Sequence, residues 1–352
     1  MKKVLFATTA LIATAGMAAA EVSISGYGRF GIDYNEANSN DVTDPGYNGI
    51  SETTITSRLR LQFDMSTETD SGVVLGARMR MQSESRDNNS FTQTGVWNAA
   101  RFYASYGGFT LQVGNIIGAV ENMSGLYLET RTAGTGVDGA GFVSLVTNVN
   151  GEYFNWDAYS SAGNGANGVE VLYSSGAFSG HLSYSARNDF AVTGIGGAYG
   201  LEAGESNLSR IAANVAYTFG DWTAALAVQD STALFEDKVA VSIAGDLGQY
   251  GVRLAYADND GISKWGLYGN MDIGAASNIL VWVTDEDAVS AADVLAGRAD
   301  NRDGIGGSNN QEGTSYGIHY SYDLGGGASF EAGWREMSND NTTVQAGVYF
   351  SF

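Results

Sequence analysis

Beyond its first twenty residues, the chain is a succession of short segments in which apolar and polar positions alternate. The last of them, Q-A-G-V-Y-F-S-F, places Val344, Ala346, Val348, Phe350 and Phe352 on one side and Gln345, Gly347, Tyr349 and Ser351 on the other. A period of two predicts strands with one apolar and one polar face. The segments are joined in two ways. Seven connections are tight and carry Gly, Asp or Ser: Asp70-Ser71-Gly72, Gly107-Gly108, Gly176-Ala177, Gly220-Asp221, Asp246-Leu247-Gly248-Gln249, Gly274-Ala275-Ala276 and Gly325-Gly326-Gly327. These read as hairpin turns. Eight others are polar and more variable, near 35–51, 86–95, 115–166, 188–206, 230–236, 258–262, 285–313 and 337–342. Seven and eight connections join sixteen strands, among which the one around 278–284 is apolar on both parities. Short turns at one end and longer loops at the other predict an all-β meander closed into an antiparallel transmembrane barrel, with short periplasmic turns and long extracellular loops. Pro45, the one proline, falls in the first long loop, where it removes no ladder hydrogen bond. Nothing marks a boundary within 21–352, which reads as one domain.

The side chains say which face meets what. The apolar parity of the clearest strands, such as Val22/Ile24/Phe30/Ile32, Leu59/Leu61/Phe63/Met65 and Ile211/Val215/Tyr217/Phe219, contains no charge. The other parity carries Arg29, Asp33, Arg58, Arg60, Asp64, Arg78, Arg80 and Arg101, and later Arg187, Arg210, Arg253, Lys264, Glu331 and Arg335. Sixteen strands enclose a space too wide for side chains to fill, so charges line water and apolar groups meet lipid. A soluble sandwich would leave the aromatics unexplained. Tyr106, Phe109, Phe178, Phe219, Trp222, Tyr250, Phe330 and Phe352 cluster beside the turns, and Tyr34, Tyr184, Tyr256 and Trp334 sit further up the strands. Two such girdles belong at the two membrane–water interfaces.

Composition narrows the reading. With no cysteine among 352 residues, neither a disulfide framework nor a thiolate metal site can form. Lys2 and Lys3, the apolar run from Val4 to about Met17, and Ala18-Ala19-Ala20 have the form of a signal peptide over residues 1–20. Cleavage before Glu21 would take two from the 18 Lys+Arg, leaving 16 against 39 Asp+Glu and a charge of −23. Nucleic acid, whose phosphates need a basic footprint, is no partner for such a chain.

Several stretches then look familiar. E-V-S-I-S-G-Y-G-R-F-G after the leader, S-R-L-R-L-Q-F-D-M-S-T-E-T-D-S-G, A-Y-T-F-G-D-W-T, S-Y-D-L-G-G-G-A-S-F and the closing V-Q-A-G-V-Y-F-S-F resemble the general diffusion porins of alpha-proteobacteria. The resemblance runs from 21 to 352, densest in strands and turns. It implies a sixteen-stranded barrel in the outer membrane of a Gram-negative cell, a homotrimer, and a third loop folded into the lumen. By the count above that loop is 115–166. Its carboxylates Glu121, Glu129, Asp138 and Glu152 would then face a basic wall of Arg58, Arg60, Arg78, Arg80 and Arg101. A terminal aromatic such as Phe352 also resembles the signal read by outer-membrane assembly machinery.

The residues support the wall independently. A three-residue turn at 70–72 puts Asp64 opposite Arg78 and Arg58 opposite Glu84, and a shifted register would put Arg60 opposite Arg80. Like charges face to face are destabilising, so a crowd of arginines points to a role beyond stability; charged rings are how pores select ions. Two histidines, His181 and His319, offer little to a hydrolase and read as polar lining. Tyr27, Tyr103, Tyr268 and Tyr349 form no stripe on the lumen side, which favours a general pore over a sugar-selective channel. Calcium could bridge clustered loop carboxylates, yet no loop has the spacing of a calcium motif. The expectation is passive diffusion of small hydrophilic solutes and ions, without cofactor or metal.

Overall fold

The computed structural model describes residues 20–87, 92–132, 134–138, 143–146, 156–187, 200–298, 300–302 and 312–352. The leader, apart from Ala20, lies outside them. The strands are β1 (Glu21–Asn35), β2 (Thr53–Glu68), β3 (Val74–Arg86), β4 (Val96–Trp97), β5 (Arg101–Tyr106), β6 (Phe109–Asn115), β7 (Asn167–Ser175), β8 (Phe178–Arg187) and β9 (Leu208–Phe219). They continue as β10 (Trp222–Ser231), β11 (Lys238–Leu247), β12 (Tyr250–Asn259), β13 (Ile262–Ile273), β14 (Ser277–Glu286), β15 (Gly313–Gly325), β16 (Ala328–Glu336) and β17 (Thr342–Ser351). Each neighbour pair is antiparallel, and β17 returns to pair with β1. The stub β4 and the longer β5 both pair with β3, so they are two halves of one interrupted strand, and the closed wall has sixteen positions. No described helix is long and apolar enough to cross a membrane.

The alternating sequence pattern becomes the two faces of this wall. Val22, Ile24, Phe30 and Ile32 are exposed on the outside of β1, while Arg29 and Asp33 are buried inside. Outward aromatics gather near the turns (Tyr106, Phe109, Phe178, Phe219, Tyr250, Phe352) and again nearer the loops (Tyr184, Tyr256, Trp265, Tyr316). The tight turns fall where the glycines predict. One of the eight connections expected to be longer is instead a two-residue hairpin, Asp260-Gly261, with φ of 52° and 83°. Both values are positive, as a type I′ turn demands, and glycine takes such a φ without strain. Along β2 and β3 the register follows the three-residue-turn reading: Arg58 opposes Glu84 and Asp64 opposes Arg78. The shifted alternative is not adopted, because Arg60 opposes Gln82 and Arg80 opposes Gln62.

The seam between first and last strands is continuous to the final residue. Tyr27 to Asn35 pair in order with Ser351 back to Thr343, and Gly26 and Phe352 exchange backbone hydrogen bonds of 2.9 and 3.0 Å. Both edges of the sheet are thereby consumed.

The 51-residue segment between β6 and β7 enters the barrel, and its described parts form the main apolar core. Ala119, Val120, Met123, Leu126, Leu128, Val143, Leu145, Val146 and Trp156 pack against Ala212, Ala225, Ala227, Ala240, Ala255 and Ala257 on the inner faces of β9 to β12. Tyr268, Leu280 and Trp282 complete the seat. This explains why β14 is apolar on both parities: Val281 is exposed outside, and Leu280 and Trp282 lie inside beneath the loop. The small alanine side chains leave room for an inserted loop; larger residues would occupy its volume.

Elsewhere the loop touches backbone. A Cβ at Gly333 on β16 would collide with the Thr135 side chain and the Gly136 backbone nitrogen. Gly333→Val should therefore destabilise the fold by about 1–3 kcal/mol, the usual cost of overpacking, and expose the loop to limited proteolysis. Unchanged urea unfolding and proteolysis would contradict this seating.

Candidate pore constriction

The third loop is held along the inner wall by side chains spaced around most of the circumference. At its start the Glu170 carboxylate of β7 accepts the Ile117 and Gly118 N–H groups at 2.9 Å, and Ser183 Oγ of β8 accepts that of Ala119 at 2.9 Å. Ser242 Oγ of β11 then donates to the Ser124 carbonyl at 2.6 Å, and Arg253 of β12 to the Tyr127 carbonyl at 3.0 Å. Further on, Gly136 N–H donates to His319 Nδ1 of β15 at 3.0 Å and Asp138 N–H to Gln345 Oε1 of β17 at 2.9 Å. The return arm fills the gap between β4 and β5. There Asn98 Nδ2 donates to the Ser160 carbonyl at 2.6 Å and Ala99 N–H to that of Gly163 at 3.1 Å.

The five arginines come together. Arg58, Arg60, Arg78, Arg80 and Arg101 line one open cavity of ≈ 850 Å³, together with Glu121, Trp156, Asp157 and Tyr159 of the third loop. Arg58 Nε donates to Glu84 at 2.9 Å, and Arg78 is paired with Asp64. Arg60 Nε and Arg80 Nε each donate at 2.8 Å to an amide oxygen, of Gln82 and Gln62 respectively. Arg101 lies opposite Arg78. Its guanidinium and that of Arg80 both sit on the Tyr159 ring, 4.5 and 4.7 Å from the centroid, where the ring quadrupole attracts cations.

The predicted carboxylates go to different places. Of the three that are described, Glu121 alone lines the arginine cavity, its Oε2 accepting from Tyr127 Oη at 2.7 Å and Trp156 Nε1 at 2.9 Å. Glu129 reaches another part of the wall, where it accepts from Tyr268 Oη at 3.0 Å and lies 3.5 Å from Arg253. Asp138 is buried and anchors the loop, paired with Arg29 and with Arg86 (2.6 Å) and accepting from Thr56 at 2.8 Å. Thr56, Gln345 and three arginines hold it at the wall, because besides Arg29 and Arg86 the cavity-lining Arg58 lies 4.0 Å from its carboxylate. Glu152 falls outside the described residues. Sequence reasoning missed Arg29, Arg86, Glu170 and Gln345 as loop anchors and Tyr159 as a clamp. Lumen parity was the available signal for the first four; nothing local marked Tyr159.

Both histidines are loop or wall supports. His319 Nε2 meets Glu331 at 2.7 Å while Nδ1 accepts from Gly136, so neither nitrogen is left for a serine nucleophile. His181 Nε2 meets Glu170 at 2.9 Å, the carboxylate that holds the start of the loop. Among the described residues no three His, Asp or Glu side chains are grouped to hold a metal ion.

A closed sixteen-stranded barrel with an apolar exterior, a charged interior and an inserted loop defines a membrane pore. The chain matches the family of Gram-negative porins over residues 7–342 and belongs to it. A porin of Fuscovulum blasticum is 31% identical over 337 residues, covering 94% of this chain and all of that protein. A porin of Rhodobacter capsulatus is 28% identical over 351 residues, with the same coverage. Solved engineered variants of the Rhodopseudomonas blastica porin superpose with a TM-score of 0.67 at 26% and 28% identity, over 94% of this chain and 100% of theirs. The protein is thus an outer-membrane porin, a channel for passive diffusion.

Glu121 should make the cavity sensitive to pH. Burial pushes its carboxyl up to about 7, against the pull of the two hydrogen bonds. It is neutral below that value and adds a negative charge above it. The preference for cations over anions should rise over about one pH unit either side of 7. Zero-current potentials across a salt gradient would follow the change, and E121Q should abolish it. A pH response that survives in E121Q would assign it to another group.

Proposed function

We propose that the chain is a general diffusion pore for small hydrophilic solutes and ions, filtered by charge at one constriction and needing no cofactor. The observation that carries this reading is the one open cavity lined by Arg58, Arg60, Arg78, Arg80 and Arg101 together with Glu121. Charges fixed in a narrow aqueous throat act on each passing ion and order the water around it, which disfavours large or apolar solutes. A nutrient-specific channel would need a recognition surface along the path. Three of the four lumen tyrosines form no such track: Tyr27 and Tyr349 stack on each other at 5.1 Å, and Tyr268 is buried beneath the loop. A hydrolytic role has no support in the histidines, which are engaged as described above.

In planar bilayers the purified protein should give stepwise conductance, with steps in threes for the homotrimer that the family resemblance suggests. Absence of steps would sink the pore reading. Replacing Arg58, Arg60, Arg78 and Arg80 together with glutamine should move ion selectivity toward cations; unchanged selectivity would make these arginines structural.

The end of the chain has a separate role in this reading. Phe352 is exposed on the outer face at the turn end of the seam and is the residue offered to outer-membrane assembly machinery. Its deletion should slow insertion severalfold while leaving single-channel conductance unchanged. Normal insertion kinetics in the truncated protein would refute that assignment.

A further inference from the structure

The inward rungs of β2 and β3 pair in a particular order. From the loop end they read Arg58 with Glu84, Arg60 with Gln82, Gln62 with Arg80, and Asp64 with Arg78. Successive rungs on one face are about 7 Å apart, so the series runs for about 20 Å down the lumen. Carboxylates occur only at its two ends. In the middle, where a glutamate would neutralise each arginine, the partner is an amide that fixes the guanidinium by its Nε and leaves its charge intact. Arg101 adds a third such cation: 6% exposed, its Nε is buried without a hydrogen-bond partner, and it shares the Tyr159 ring with Arg80. Arg60, Arg80 and Arg101 carry no ion pair among the described residues, although the chain as a whole has 39 Asp+Glu against 18 Lys+Arg. Three close, partly desolvated like charges repel one another unless an anion joins them.

We propose that this middle stretch is a binding step for compact multivalent oxyanions, of which inorganic phosphate and pyrophosphate are the simplest. The inference rests on the pore reading and adds a bound solute to it. Planar guanidinium forks match the paired oxygens of such anions, and a dianion satisfies two arginines where chloride satisfies one. Gln62 and Gln82 hold Arg80 and Arg60 by one edge, leaving the terminal nitrogens to the cavity apart from one Arg80 bond of 3.1 Å to Ser161. Tyr159, from the return arm of the third loop, keeps Arg80 and Arg101 on the same side of the cavity. The ≈ 850 Å³ space has room for the anion and its remaining water.

The test is single-channel current in potassium chloride with pyrophosphate added. Pyrophosphate should reduce the current saturably, and phosphate should do so at higher concentration. The double variant Gln62→Glu/Gln82→Glu keeps every arginine and both side-chain lengths but supplies the missing carboxylates. It should still open and should raise the half-blocking concentration at least tenfold, or about 1.4 kcal/mol. Arg60→Gln/Arg80→Gln should do the same by removing the cations. A block unchanged in either variant, or one that grows with pyrophosphate without saturating, would overturn the proposal. Failure to see channel steps at all would instead strike the pore reading on which it stands.

Discussion

Closure of the sheet on itself is the constraint from which the rest follows. In a hydrocarbon layer no water is available to backbone N–H and C=O groups, and a strand edge left open would carry a row of them unsatisfied. The seam between β1 and β17 removes both edges, down to the reciprocal bonds between Gly26 and Phe352. Closure at sixteen strands also fixes the width, and the width decides that the interior is aqueous. Charges belong inside such a barrel and apolar side chains outside it, as the strand faces are arranged.

An open lumen of that width would discriminate poorly, and in the proposed function the third loop supplies the discrimination. Its seat is an apolar surface on the inner wall, made of alanines on β9 to β12 with Leu280 and Trp282 of β14. The apolar arm of the loop therefore lies on the β9–β14 side, and its return arm reaches the β2–β5 side, where the arginines line the cavity that remains. Polar anchors finish the attachment: Glu170 at the start, Arg29 and Arg86 on Asp138 near the tip, and Asn98 and Asn115 on the return arm. Truncating one member of a buried charged pair strands the other, which costs about 3–5 kcal/mol. The Arg29–Asp138 pair at the tip is held by that penalty.

The alternation of the strands and the seven tight turns were legible because they depend on neighbours in sequence, and the β2–β3 register was narrowed to two alternatives. The period of two decides the face, and the turn length decides the rung. The interrupted fourth strand was not legible, since the gap at 98–100 is filled by a segment more than sixty residues later. The alanine seat left one trace, the doubly apolar parity around 278–284, whose meaning required knowing what lay against it. Loop carboxylates were the least readable. Glu121, Glu129 and Asp138 differ little in local sequence, yet one lines the cavity, one meets Arg253 and one is buried with Arg29. For Asp138 the fate is set by contacts 52 to 207 residues away, such as Arg86 with its carboxylate and Gln345 with its backbone.

The central claim is that the third loop is fixed on the inner wall and forms a static constriction. The chain has no cysteine, so a single engineered disulfide can test this directly. A Cβ at Gly266 would lie 2.9 Å from the Leu145 Cβ, and a shift of about 1 Å gives the usual disulfide separation. Leu145→Cys/Gly266→Cys should oxidise readily, and single-channel conductance should be the same with the bond formed or reduced. Failure of the bond to form, or a conductance that changes when it does, would contradict the account.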